Sequence, residues 1–215
     1  MLDEDISIVS TNTRNEKIKN FFIKNKKNLI IVSLFIIFSI FGYFIFEELK
    51  KKNKIKLGNK YNLASINFIS QNVANTKKEL IEIINAKDQT YSPLALYFLI
   101  DNNILTSQDQ INSLFDILIT DTKLDDEIKN LIIYKKALFN SDFETENNLL
   151  KMLNPILNSS SIWKSHALHL MAEYFFSKNE KQKSKQFFEQ ILNLENSNPK
   201  IKLSAQQRIQ RDFSE

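Results

Sequence analysis

Residues 161–193 read SIWKSHALHLMAEYFFSKNEKQKSKQFFEQILN. Two apolar runs flank the polar tetrad Ser177-Lys178-Asn179-Glu180. Within each run the apolar positions fall three and four residues apart, the period of an α-helix. The tetrad fits the capping box, Ser/Thr-x-x-Glu/Gln, in which hydroxyl and carboxylate satisfy orphan N–H groups at a helix start. The stretch is therefore expected to form two helices, 161–176 and 180–193, joined by a short turn.

The same pattern recurs upstream. Thr76-Lys77-Lys78-Glu79, Ser107-Gln108-Asp109-Gln110 and Ser141-Asp142-Phe143-Glu144 also fit the box, and the four boxes lie 31, 34 and 36 residues apart. The apolar segments that follow begin at Ile81, Phe115, Leu150 and Glu189, steps of 34, 35 and 39. Ser92-Pro93 and Asn198-Pro199 fit a second kind of start, an N-cap followed by proline at the first helical position. The expected pairs are 57–72 with 77–87, 93–105 with 108–119, 124–139 with 144–157, and 161–176 with 180–193. A last helix, 199–213, would close the array, with Gln206, Gln207, Arg208, Gln210 and Arg211 facing water. A period near 34 with two helices per unit is the tetratricopeptide length, and such units stack because one alone cannot bury its apolar face. The expected fold class is all-α, a helical-hairpin solenoid.

Composition agrees. The chain holds two glycines and three prolines, too few for a glycine-rich phosphate loop or a sheet with many tight hairpins. It holds no cysteine, which excludes disulfides, thiolate metal sites and cysteine nucleophiles.

Residues 29–46 read LIIVSLFIIFSIFGYFIF, eighteen residues without a charge. As a helix they would span about 27 Å, close to the hydrocarbon thickness of a bilayer. A signal peptide has a shorter apolar region and ends in small residues. This run exits instead through Phe44-Ile45-Phe46-Glu47-Glu48, so an uncleaved transmembrane anchor is expected. The expected organisation is a basic tail (1–28), the anchor (29–46), a basic helical linker (47–60) and the repeat domain (61–215). The first repeat helix would continue from the anchor through Lys50–Lys60, with Gly58 as a weak point.

Of the 29 Lys and Arg, twelve lie in residues 1–60, six on each side of the apolar run, leaving 17 for residues 61–215. Six of the 25 acidic groups also precede residue 61, leaving 19, so the large domain is slightly acidic. The basic flanks favour anionic lipid headgroups. Nucleic-acid binding calls for a basic face on the folded domain, and none is implied. Six charges on each side leave the positive-inside rule undecided. A 28-residue tail before a long domain fits a signal-anchor whose domain is exported.

Together the short basic tail, the single anchor, Tyr91-Ser92-Pro93-Leu94-Ala95-Leu96-Tyr97, and Trp163, Ala167 and Met171-Ala172-Glu173-Tyr174 followed by Asn198-Pro199 resemble the YfgM-like family. These are ancillary subunits of the SecYEG translocon with a tetratricopeptide-like domain. The resemblance covers roughly residues 15–213. It implies a bacterial inner-membrane protein with a cytoplasmic N-terminus and a periplasmic repeat domain. The implied partners are translocon subunits, a membrane-bound chaperone and exported clients. The chain departs from the family in being rich in Asn, Lys and Ile, and in a poorly defined first repeat.

Signs of catalysis are sparse. His166 and His169 share a helix face, but the carboxylate at useful spacing is Glu173 alone, so core or groove histidines are expected rather than a metal site. Asp125, Asp126 and Glu127 suit a helix start, where acids complement the dipole. No Gly-x-Ser-x-Gly elbow occurs. The expectation is a non-enzyme without cofactor, metal or small-molecule substrate. Binding is expected on the face lined by the first helix of each pair, at Tyr97, Asp101, Tyr134, Lys135, Trp163, His166 and Glu173. Tyr and Trp favour that role, being enriched at binding hot spots. A self-associating envelope or division scaffold is the alternative.

Overall fold

A computed structural model describes residues 16–213. Asp3, Glu4, Asp5 and Arg14 of the tail lie outside them, as do Ser214 and Glu215. The described residues are helical throughout, without strands. Residues 16–24 are helical. There follow α1 (Lys26–Ile69), α2 (Val73–Asn85), α3 (Tyr91–Asp101), α4 (Gln108–Asp116) running into a π-turn (Ile117–Asp121), α5 (Asp126–Asn140), α6 (Glu146–Leu157), α7 (Lys164–Ser177), α8 (Lys181–Asn193) and α9 (Pro199–Asp212). The chain divides into two compact units, one reaching Lys56 and the other starting at Leu57.

In the first unit, α1 carries an 18-residue window of mean hydropathy 2.8 with none of it buried. A core helix of that hydropathy would be covered. Among the described residues this is the one helix long and apolar enough to cross a membrane.

In the second unit, consecutive helices pack on one another, and first helices also pack on first helices: α5 on α7, and α7 on α9. The buried positions recur in strict register. Ala64, Leu99, Ala137 and Ala172 sit on the first helices. Thr76, Ile111, Leu149 and Ser184 face them twelve residues on, followed by Leu80, Phe115, Leu153 and Phe188, then Ile83, Leu118, Ile156 and Ile191. Every one of these side chains is at most 2% exposed, and each series steps by 35, 38 and 35 residues. The buried positions of the second unit thus recur four times. The three extra residues of the middle step fall between Leu118 and Ala137. They lengthen α5, which starts eleven residues before Ala137, where α3 and α7 start eight before Leu99 and Ala172. Ahead of it α4 runs into the π-turn, and the Thr122 hydroxyl donates to the Ile117 carbonyl (3.0 Å).

Small residues set the approach of the outer pairs. The Thr76 hydroxyl donates to the Ala64 carbonyl (3.2 Å), and Ser184 makes the equivalent bond to Ala172 (2.8 Å). Between α4 and α5, fully buried Asn140 exchanges two amide hydrogen bonds with Asn112 (2.7 and 2.9 Å). A third, from Gln108 (3.1 Å), completes its acceptor. A buried amide left unpaired would cost about 1–3 kcal/mol, which explains why all its capacity is used.

Several expected helix starts are corrected. Ser107 does cap α4, accepting from Gln110 N (3.4 Å), Asn198 caps α9 with Pro199 behind it, and Asp125 caps α5. Thr76 does not cap a helix: α2 starts at Val73 under Asn72, and Thr76 is buried inside it. Ser141 and Ser177 close the preceding helices by donating to Leu138 and Tyr174 carbonyls. The cap of α6 is Thr145, and α8 starts after Glu180 with no side-chain cap. Ser92 lies inside the first turn of α3, where its hydroxyl donates to the Ile83 carbonyl (2.8 Å), while Asp88 receives the N–H groups of Thr90 and Tyr91. Gly58 is no weak point: α1 runs through it, and a Cβ there would stand 2.5 Å from the Tyr91 hydroxyl. The glycine admits that ring. Arg208 does not face water: its side chain is 14% exposed, against the body of α7.

Candidate protein-binding groove

The α3 and α5 helices share one hydrophobic cluster, through Ala95, Leu96, Leu99 and Ile132, and open toward the surface. Between them lies an apolar groove of about 440 Å³, at the place where the repeat carries its three extra residues. Gln89, Thr90, Pro93, Leu94 and Tyr97 form one wall, and Leu124, Asp125, Ile128 and Leu131 the other. The positions on α3 (90, 93, 94, 97) and on α5 (128, 131) follow the helical period, so one stripe of each helix faces the gap. Leu94 and Ile128 are each 42% exposed, apolar side chains with open space before them.

Tyr97 lines the groove alongside the polar residues Gln89, Thr90 and Asp125. Its hydroxyl is buried without a hydrogen-bond partner. Burial, assisted by the nearby Asp101 charge, pushes its pKa up to about 12, so the group is a neutral phenol at physiological pH. The Lys135 ammonium stands 5.7 Å from the Tyr97 ring centroid, in cation–π range. Asp101, Tyr97 and Lys135 thus form one group beside the groove. The Asp125 carboxylate at the opposite wall is held by its cap bond to Glu127 N (3.0 Å).

Tyr134, Trp163 and His166 form a second group. Tyr134 and Trp163 stack at 6.1 Å with 18° between the planes, and His166 lies 5.0 Å from Trp163 and 5.8 Å from Tyr134. Ser161 positions the tryptophan. Its hydroxyl accepts from Trp163 N (3.2 Å) and donates to Glu127 on α5 (2.7 Å). Burial raises the Tyr134 pKa. Burial, then the neighbouring His169, lowers that of His166. The Ile162 backbone opposes that shift, while the buried Nδ1 has no hydrogen-bond partner.

Glu173 belongs to neither group. Its carboxylate takes a two-pronged bond from Arg208 of α9, at 2.8 and 2.6 Å. Arg208 also bonds Asp212 and lies 4.2 Å over the Phe176 ring. Beside this pair, His169 Nε2 meets the Ser204 hydroxyl at 3.1 Å. Burial lowers the His169 pKa, Glu173 opposes the shift and Arg208 adds to it. Glu173 therefore fastens the closing helix. Among the described residues no three His, Asp or Glu side chains gather as metal ligands would.

Sequence reasoning placed Tyr97 but missed the groove walls at Pro93, Leu94, Leu124, Ile128 and Leu131. The available signal was Leu94 and Ile128, apolar residues where the helical period puts solvent. No family model, curated protein or solved structure matches the chain.

Proposed function

We propose that the chain is a membrane-anchored, non-catalytic interaction scaffold whose tetratricopeptide-like stack takes an apolar segment of a partner protein into the α3/α5 groove. The observation that carries this is the groove itself, with exposed Leu94 and Ile128 beside a buried Tyr97 hydroxyl lacking a partner. Binding surfaces combine such apolar positions with a few placed polar groups. A buried hydroxyl that gains a hydrogen bond from an incoming backbone recovers the cost of leaving it unpaired.

The uncovered apolar window of α1 supports a membrane anchor. The fourfold register of buried positions supports the tetratricopeptide-like reading, because period and two-helix unit agree with it. With the YfgM-like resemblance, the reading becomes a scaffold at the Sec translocon, working with an envelope chaperone on exported clients, its N-terminus cytoplasmic and its repeats periplasmic.

A photo-reactive residue at Gln89, on the rim, tests this in cells. It should crosslink translocon or chaperone subunits. Leu94→Asp with Ile128→Asp should cut the yield about tenfold or more, a loss of at least ~1.4 kcal/mol of binding, with helix content unchanged. Undiminished crosslinking would rule the groove out.

A further inference from the structure

The second unit begins with a helix face that nothing in the unit covers. On α1, Leu57, Tyr61, Ala64 and Phe68 turn inward: Ala64 is fully buried, Leu57 and Tyr61 pack against the core, and Phe68 meets Phe98 edge-on at 5.4 Å. The opposite face carries Asn59, Asn62, Leu63, Ile66 and Ile69, all exposed. Leu63, Ile66 and Ile69 are 50%, 58% and 80% exposed, so three large aliphatic side chains stand in the open on this side of the helix. A helix at the edge of a repeat stack ordinarily turns a polar face to water.

The spacing identifies the occupant. Asn59, Asn62, Ile66 and Ile69 are separated by three, four and three residues, the seam of a two-stranded coiled coil, with Leu63 on its flank. Two of the four seam positions are asparagines. An amide facing an aliphatic side chain would be buried unpaired. Facing its own copy, it exchanges hydrogen bonds, and a buried asparagine of this kind selects two parallel strands in register. The face is therefore complementary to itself. Within residues 59–69 this face carries no lysine to meet a lipid headgroup, and Lys60 beside it pairs with Glu82.

We propose that residues 59–69 of α1 form a parallel, in-register seam with the same residues of a second copy. Two heptads alone make a weak contact. Copies held in one membrane present the seam from the same side at high effective concentration, a contribution that rests on the anchor reading. The pairing leaves the α3/α5 groove free, so the two proposals fail separately.

The chain lacks cysteine, which makes single-cysteine variants clean reporters. The full chain carrying Asn62→Cys, Ile66→Cys or Ile69→Cys is placed in phospholipid vesicles and in detergent and exposed to a mild oxidant. Gln182→Cys, exposed on α8, serves as the collision control. The seam variants should give covalent dimer at least tenfold faster than the control. Adding Ile66→Lys to Asn62→Cys should abolish that advantage by setting two ammonium groups face to face, with helix content unchanged because position 66 points away from the core. Rates at the seam equal to the control, or dimer indifferent to Ile66→Lys, would overturn the proposal. A seam that forms in vesicles but not in detergent upholds it and assigns the missing strength to tethering.

Discussion

His166 and His169 lie on one helix, and both are held below the ordinary imidazole pKa by burial. Trp163 and Tyr134 enclose the first; Phe188, Ser204, Glu173 and Arg208 surround the second. A depressed folded pKa means that the fold prefers the neutral ring. The stability this contributes is fully present above the unfolded value of about 6.5 and is lost as pH falls through the lower folded values. Thermal denaturation should therefore show Tm falling as pH is lowered from about 7 to 5, before the carboxylates titrate. In the double variant His166→Gln/His169→Gln the fall over that window should flatten. An unchanged slope would show that the imidazoles do not couple to folding. The Tyr97 phenol acts in the opposite sense: its raised pKa contributes stability below about 10 that is lost as pH climbs toward 12.

At the scale of the element, α9 is held by packing, by the His169–Ser204 hydrogen bond and by the Arg208–Glu173 ion pair. Ala205, Ile201 and Ile209 lie against Phe188 and Ile191, while Arg208 ties Glu173 to Asp212 over the Phe176 ring. Arg208 is nearly covered but Glu173 is 38% exposed, so solvent screens part of the attraction. Arg208→Ala should cost about 2 kcal/mol, through the lost pair and the lost stacking, read as a lower urea midpoint. Arg208→Lys should restore less than half, because an ammonium cannot make the two-pronged bond. A loss under about 0.5 kcal/mol, the size of an ordinary surface pair, would contradict this account. Arg208 also shows what the sequence could and could not disclose. The order and approximate spans of the helices after residue 57 follow from apolar period, whereas the helical stretch 16–24 carries no such signal, and α4, α5 and α9 start at caps visible in the chain. Thr76, Ser141 and Ser177 match the same capping pattern for other reasons: one hydroxyl bridges two helices, and the others close helices. A serine bonding backward and one bonding forward look alike in a sequence. The groove was hidden for a related reason. It depends on where a three-residue insertion falls, and the extra residues lengthen the start of α5 without any marker residue.

At the largest scale, the fourfold register of the second unit runs through three adjoining hydrophobic clusters, and the groove opens between two helix pairs, α3 with α4 and α5 with α6. Whether that stack works beside an export channel depends on which side of a membrane it occupies. Six basic residues on each side of residues 29–46 leave that to measurement. A reporter enzyme active only outside the cytoplasm should be fused after Glu215 and assayed in the membrane pellet after an alkaline wash. The anchor and the exported repeat domain together predict an active reporter retained in the pellet. An inactive reporter, or an active one released into the soluble fraction as a cleaved leader would release it, would contradict the membrane-anchored, exported scaffold.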